Sequence, residues 1–434
     1  MVGEWQSYEV SRLIAEGKLA IGDGYRAKNN ELSSSGLPFA RAGNINDGFR
    51  FNDDDHFPEE HLARVGNKVS QPEDVVFTSK GTVGRFAFVR SETPRFVYSP
   101  QLCFWRSLDK KTIEPRFLFY WMSGREFFVQ FKGVASQTDM AEYVSLADQR
   151  RMHITLPGPK EQRAIAHILG TLDDKIKLNR RMNETLEAMT RAIFKSWFVD
   201  FDPVRAKAAA RDPGLPKHIA DLFPDCFEDS ETGEIPKGWE VMPLDGIAAY
   251  LNGLALQKYP PDAAGSLPVI KIAQMRAGHT IGADQASVSI PPAYIVEDGD
   301  ILFSWSGSLE VAVWCGGRGA LNQHLFKVTS DRFPKWFYLH WTRQHLTDFR
   351  GIAAGKATTM GHIQRSHLSA AKVLVPPPPL LEAMSYYFAP LLDSFIAKSV
   401  ESRTLAALRD TLLPKLISGE FRIPNAKRIG GGCV

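Results

Sequence analysis

Apolar residues along this chain fall into two kinds of pattern, and both kinds occur twice in the same order. Short β-rich runs come first, DVVFTS and GRFAFV in one half and DILFSW and EVAVW in the other, each set between Gly and Pro turn signals. A helical stretch follows in each half, at residues 115–132 and 334–350. A proline-bearing stop comes next, LPGP and then VPPP, and Pro157, Pro159 and the prolines at 376–379 favour extended backbone there. Each half closes on a long helix. Residues 160–200 hold no proline and only Gly170 as a breaker, and about 40 residues rising 1.5 Å each make a rod of roughly 60 Å.

The long helices carry a seam. Ile165, Leu172, Asn179, Leu186 and Ile193 recur every heptad, with Ile168, Met182 and Met189 as a second stripe that Lys175 interrupts. A seam of this period needs another helix to bury it. Leu381, Met384, Phe388, Leu391, Phe395, Leu405 and Leu412 offer one at the same spacing, with a kink expected at Pro390. The two helices are expected to pair antiparallel, and Asn179 is placed to fix their register.

The halves also repeat residue by residue. Leu172/Leu391, Asp174/Asp393, Thr185/Thr404, Leu186/Leu405 and Ala188/Ala407 coincide at one offset. Ahead of them Trp5 is echoed by Trp239, LPFARAGNI by LPVIKIAQM, and EDVVFTSKGTVG by DGDILFSWSGSL. Each identity is weak alone, but their shared order establishes an internal repeat. The expected fold is mixed α/β: two similar globular domains separated by two long antiparallel coiled-coil helices, in a pseudo-twofold repeat. Its bounds are read as a first domain over 1–157, a central helix over 158–211, a second domain over 212–377, a distal helix over 378–422 and a tail over 423–434.

Composition narrows the class. With 44% hydrophobic residues and 27 Phe, the 434-residue chain can build two or three cores. Its four cysteines, Cys103, Cys226, Cys315 and Cys433, are scattered, which suits reduced thiols in a cytoplasm better than a disulfide framework or a zinc site. No apolar run suggests a signal peptide or a membrane span. The net charge of +3 hides any local basic face.

A spacer holding two related but non-identical domains suits a ligand with two separate, related features, and duplex DNA is such a ligand. Candidate contacts are small, polar and basic residues in turn-like places: Arg41, Asn44, Ser79, Lys80, Thr82 and Arg85 in the first domain. The second offers Lys271, Gln274, Arg276, Ser304, Trp305, Ser308, Gln323, His324, Lys356, Thr358 and Thr359. Lys and Arg neutralise phosphate, while Ser, Thr and Gln reach base edges. Catalytic patterns fail. GIAAGKAT has the wrong glycine spacing for a phosphate loop and Ala357 where a magnesium-binding hydroxyl belongs, and DDDH at 53–56 reads as a charged turn. The Pro-Pro pairs lack the flanks of an adenine-methylation tetrapeptide. No metal site emerges.

The run EQRAIAHILGTLDDKIKLNRRMNETLEAMTRAIFKSWFVDFDPVRAK closely resembles the central conserved region of the specificity subunits of type I restriction-modification enzymes. LAALRDTLLPKLISGE resembles their distal conserved region, and GWEVMPL the start of a target-recognition domain. One departure is KSVESRTLAAL in the distal copy where the central one reads LNRRMNETLEAM. The resemblance implies two target-recognition domains, each reading one half of a bipartite site, with the helices setting the gap. It also implies two docked modification subunits carrying S-adenosylmethionine, and restriction subunits using ATP and magnesium. The chain itself would bind no cofactor and catalyse nothing. The alternatives are a methyltransferase or nuclease with a dispersed active site, and a coiled-coil scaffold for proteins alone.

Overall fold

A computed structural model describes residues 5–46, 48–51, 55–80, 84–134, 144–355 and 361–423. The chain divides into two units, Met1–Lys175 with Leu405–Val434, and Ile176–Thr404. The division runs through both long helices rather than at their ends.

The first unit is built around a four-stranded antiparallel sheet in the order Leu19–Asp23, Leu102–Ser107, Val75–Thr78, Phe86–Phe88. Val75 to Thr78 is buried along its whole length, because both faces of the sheet are covered. Val75 and Phe77 pack under the helices Pro115–Met122 and Arg125–Val134 with Trp105, Phe117, Trp121 and Phe127. Val76, between them, points the other way into a cluster with Tyr98 and Phe104. A strand covered on both sides has no polar alternation to show, so VVFT reads as a continuous apolar run. A smaller sheet, His56–Phe57, Leu37–Ala40, Val97–Tyr98, completes the layers, its last pair parallel. Gln6–Glu9 pairs with His153–Leu156 and closes the domain next to the central helix.

The second unit repeats this plan. Its sheet runs Ala249–Asn252, Leu325–Thr329, Ile301–Ser304, Val311–Val313, again antiparallel throughout. Ile301 and Phe303 face the helices Lys335–Gln344 and Leu346–Ala354, while Leu302 faces Ile270 and Trp314. The smaller sheet again carries one parallel pair, Ser266–Ile270 with Gly319–Leu321. Glu240–Pro243 pairs with Lys372–Val375 as the closing ribbon. The hairpin Phe227–Ser230 and Gly233–Pro236 stands ahead of Trp239.

The central helix spans Pro159–Phe194 and ends in a π-helical turn, Lys195–Val199; the distal helix spans Pro378–Ile417. They run antiparallel within each unit. In the first, Asp173 accepts from Arg409 at 2.8 Å and Glu161 from Arg422 at 2.8 Å. In the second, the Asn179 amide donates to Glu401 Oε2 and the Asn183 amide to Ser399 Oγ, both at 2.8 Å. Asn179 is fully buried, and its own oxygen has no hydrogen-bond partner among the described residues. An unpaired buried amide oxygen costs about 1–3 kcal/mol. The pair thus gives up stability for a polar contact that only one register satisfies.

Two expectations are corrected. The second seam stripe does not run from Ile168 through Met182 and Met189, although Ile168 itself packs against the core. Met182 and Met189 are 39% and 47% exposed, and the inward stripe lies one residue on, through Leu169, Ile176, Asn183 and Thr190. Its polar members hid it: Asn183 is held by Ser399, and Thr190 donates to its own Leu186 carbonyl at 2.9 Å. The prolines do not form an extended stop throughout, since Pro159, Pro378 and Pro379 lie in the first turns of the helices, where no N–H is needed. At Pro390, where a kink is expected, the distal helix stays unbroken and continues to Ile417.

Charge anchors each domain to its helices. In the first unit Asp174 takes two bonds from Arg116, at 2.6 and 2.8 Å, and one from Arg90. Burial opposes ionisation there, but the two guanidiniums outweigh it and hold the carboxyl below its usual range. Gly170 makes room: a Cβ there would stand 2.7 Å from the Arg116 guanidinium. In the second unit Arg403 grips Asp298 at 2.6 and 2.7 Å.

His340 gives the second unit an acid-sensitive element. It stacks on Phe194 at 5.0 Å between ring centres, and burial, reinforced by the Arg343 and Arg191 charges, pushes it down to about 3. The native imidazole stays neutral while an unfolded one takes up a proton below about 6.5, so stability present above that pH is lost as pH falls. Between pH 7 and 5 the loss assignable to His340 is about 2 kcal/mol. Urea unfolding of His340→Gln is expected to show a pH penalty smaller by that amount; equal penalties in both proteins would refute the assignment.

Candidate nucleic-acid interface

One end of each four-stranded sheet gathers the chemistry. In the second unit, Trp305 follows the strand Ile301–Ser304 and is half-buried. Its indole N–H donates to Asn252 Oδ1 at 2.9 Å and to the Gln323 carbonyl at 3.1 Å. The His324 ring lies 5.9 Å away at a 34° tilt, and His362 meets the indole edge-on at 6.3 Å. Ser306 Oγ shares a 3.0 Å hydrogen bond with His324 Nδ1. Asn252 and Ser308 are exposed, and Gln323 is half-buried. A strand end and three loops thus bring an indole, two imidazoles and two amides to one surface, groups able to stack on bases and bond their edges.

The other second-domain candidates divide. Ser304 is fully buried, with its hydroxyl tied to the Ser308 carbonyl at 2.7 Å and the Glu310 N–H at 2.8 Å, so it shapes the loop. Lys271 pairs with Asp284 at 2.5 Å and Arg276 with Glu310 at 3.1 Å. Gln274 caps the helix Ile272–Ala277 by accepting from the Lys271 N–H at 3.3 Å. Lys356, Thr358 and Thr359 lie outside the described residues, as does Thr82.

In the first unit Lys80 is exposed beyond the end of Val75–Thr78, and Ser79 beside it is buried. Arg85 donates to the Ala42 carbonyl at 3.2 Å, and Gln101 Oε1 accepts from the Ala42 N–H at 3.2 Å. Arg41 pairs with Asp55 at 2.5 Å. The Asn44 amide accepts from the Arg41 N–H at 2.7 Å and donates to the Arg50 carbonyl at 2.9 Å, a buried capping role that matches Gln274.

Sequence reasoning missed Asn252, Ser306, His362 and Gln101. A signal existed for Asn252: the first-sheet strand ends in Asp23-Gly24 and its counterpart in Asn252-Gly253. Both glycines are required by close approach, since a Cβ at Gly24 would lie 1.9 Å from the Ser99 carbonyl oxygen and one at Gly253 would lie 2.2 Å from that of Asn322.

Among the described residues no group of His, Cys, Asp and Glu could hold a metal ion, and no helix is long and apolar enough to cross a membrane.

Residues 14–188 match the family described as type I restriction modification DNA specificity domain. The chain is 25% identical over 392 residues to the type I restriction enzyme HindI specificity subunit of Haemophilus influenzae, covering 78% of this chain and 84% of that one. It is 22% identical over 435 residues to the putative type I restriction enzyme MjaX specificity subunit of Methanocaldococcus jannaschii, covering 97% and 94%. Residues 14–188 thus resemble a type I specificity domain, and most of the chain is similar to type I specificity subunits. The fold agrees: the crystal structure of a type I S subunit from M. genitalium superposes with a TM-score of 0.56 at 14% identity, over 95% of this chain and 96% of that one. The family match spans most of the first domain and most of the central helix, and the second domain repeats the same topology.

Among the first-domain candidates Lys80 is exposed, whereas Arg41 pairs with Asp55 and Arg85 donates to the Ala42 carbonyl. Lys80→Ala is expected to weaken binding to all duplex sequences alike and to lower the slope of log affinity against log salt by about one. A salt titration followed by fluorescence anisotropy reads this, and an unchanged slope removes Lys80 from the interface.

Proposed function

We propose that this chain is the DNA-reading component of a type I restriction-modification complex. Each globular domain contacts one half of a two-part duplex site, and the paired helices set the gap. The observation that carries this reading is the repetition of one scaffold with different chemistry at its tip, an indole–imidazole cluster in one domain and a Lys80–Gln101 surface in the other. A protein reading two copies of one half-site would have no use for the difference.

In this reading the chain has no catalysis of its own and acts in the cytoplasm. Two modification subunits holding S-adenosylmethionine dock on the helices, and restriction subunits using ATP and magnesium join them. Support for a helix-borne partner comes from Leu178, Met182 and Met189, which the central helix leaves 50%, 39% and 47% exposed at helical spacing.

Inserting four residues into each long helix between the domain anchors adds about 6 Å of rod while the seam absorbs the phase change. The expected outcome in the assembled complex is a methylated motif with both half-sites unchanged and the gap longer by one or two base pairs. Sequencing of methylated DNA checks it, and altered half-sites at a constant gap would refute the spacer role.

A further inference from the structure

The two sheets can be matched residue by residue from their hydrogen bonds alone. Thr78 Oγ1 accepts from the Arg85 N–H at 3.2 Å as Ser304 Oγ accepts from that of Glu310 at 2.8 Å. The next N–H, of Ser79, donates to the Gln101 carbonyl at 3.0 Å, and that of Trp305 to the His324 carbonyl at 3.4 Å. The carbonyls of Ser79 and Trp305 then accept from Val144 and Ile363, at 3.1 and 3.0 Å. Leu102 N–H returns to the Ser99 carbonyl and Leu325 N–H to that of Asn322, both at 2.9 Å. Each first strand ends in the glycine that must pass close to that same turn, Gly24 or Gly253.

These bonds make Asp23 equivalent to Asn252, Ser79 to Trp305, and Gln101 to His324. The backbone is shared and the side chains are not. Where Trp305 stands half-buried over His324, Ser79 is buried at 1% exposure. Where Asn252 accepts from the indole, Asp23 accepts from Lys68 Nζ at 2.8 Å. Where His324 is braced by Ser306, Gln101 is exposed and bonded through its oxygen to the Ala42 N–H. A scaffold held constant while one cluster changes all its chemistry marks that cluster as the variable part.

Resting on the function proposed above, we infer that positions 101 and 324 are the specificity-determining positions of the two domains. Gln101 presents an amide to a base edge in one half-site, and His324, oriented by Trp305 and Ser306, presents an imidazole in the other. Asn252 and Trp305 are positioning residues, because they reach the base through the ring they hold. The amide suits the paired donor and acceptor of adenine's major-groove edge, and the imidazole a single acceptor or donor.

The reciprocal variants Gln101→His and His324→Gln test this in the chain assembled with its modification subunits. The probe is a plasmid library of random duplex sequence, and the readout is the methylated motif. Each variant is expected to change base choice at one position of one half-site, with discrimination there falling about tenfold or more. The other half-site and the gap stay as in the parent. Trp305→Phe, which keeps an aromatic ring but loses the N–H bonds, should blur the same base pair as His324→Gln, and it serves if that variant fails to assemble. Parental preference at every position in both reciprocal variants overturns the inference, as does a simultaneous change in both half-sites. A parent complex that methylates no two-part motif refutes the proposed function instead, so the two failures are distinguishable.

Discussion

Neither long helix can bury its own seam. Each carries an apolar stripe that water would penalise, so each needs the other, although a whole domain separates them in sequence. Within each unit the domain is fastened to its own stretch of that pairing. Arg409 and Arg422 bridge it in the first unit, and Asn179 and Asn183 in the second. The domains hang from it by their own charged anchors, Asp174 under Arg90 and Arg116, and Asp298 under Arg403. A seam of leucines throughout would hold more tightly but slide more easily. The buried asparagines exchange some of that tightness for a single alignment.

The architecture was legible in the order of repeated fragments rather than in any one of them. Strand positions such as Val75–Thr78 and Ile301–Ser304 stood out because complete burial demands an unbroken apolar run. The seam was legible only by half. Its regular stripe from Ile165 to Ile193 was plain, but the partner stripe contains Asn183 and Thr190, and Met182 and Met189 offered a more apolar decoy one residue away. Hydrophobicity ranks side chains by their cost in water, and it cannot register that a particular asparagine will meet a serine hydroxyl. Lys175, interrupting the decoy, was the available warning.

The candidate interface was less legible for a related reason. Trp305, Gln323 and His324 were recognisable as chemically capable, yet Ser304 and Asn44 carry equally suitable groups and spend them inside the fold. Residue type tells what a side chain can do, and only the neighbouring backbone tells whether it is already doing it. The capping amides of Asn44 and Gln274 show the ambiguity well, because both are repeated at equivalent positions for the scaffold's sake. Difference at equivalent positions, as between Gln101 and His324, is the better sign of a reading role.

The ion pair between Arg422 and Glu161 carries a consequence for biosynthesis. The second unit is one continuous stretch, Ile176–Thr404, whereas the first unit includes the last part of the chain. As the polypeptide leaves the ribosome, the first domain is made early but its helix lacks a partner until residues beyond Leu405 emerge. The later-made unit has all its pieces first. The long-range contacts that complete the earlier one carry the larger loop-closure cost and form last.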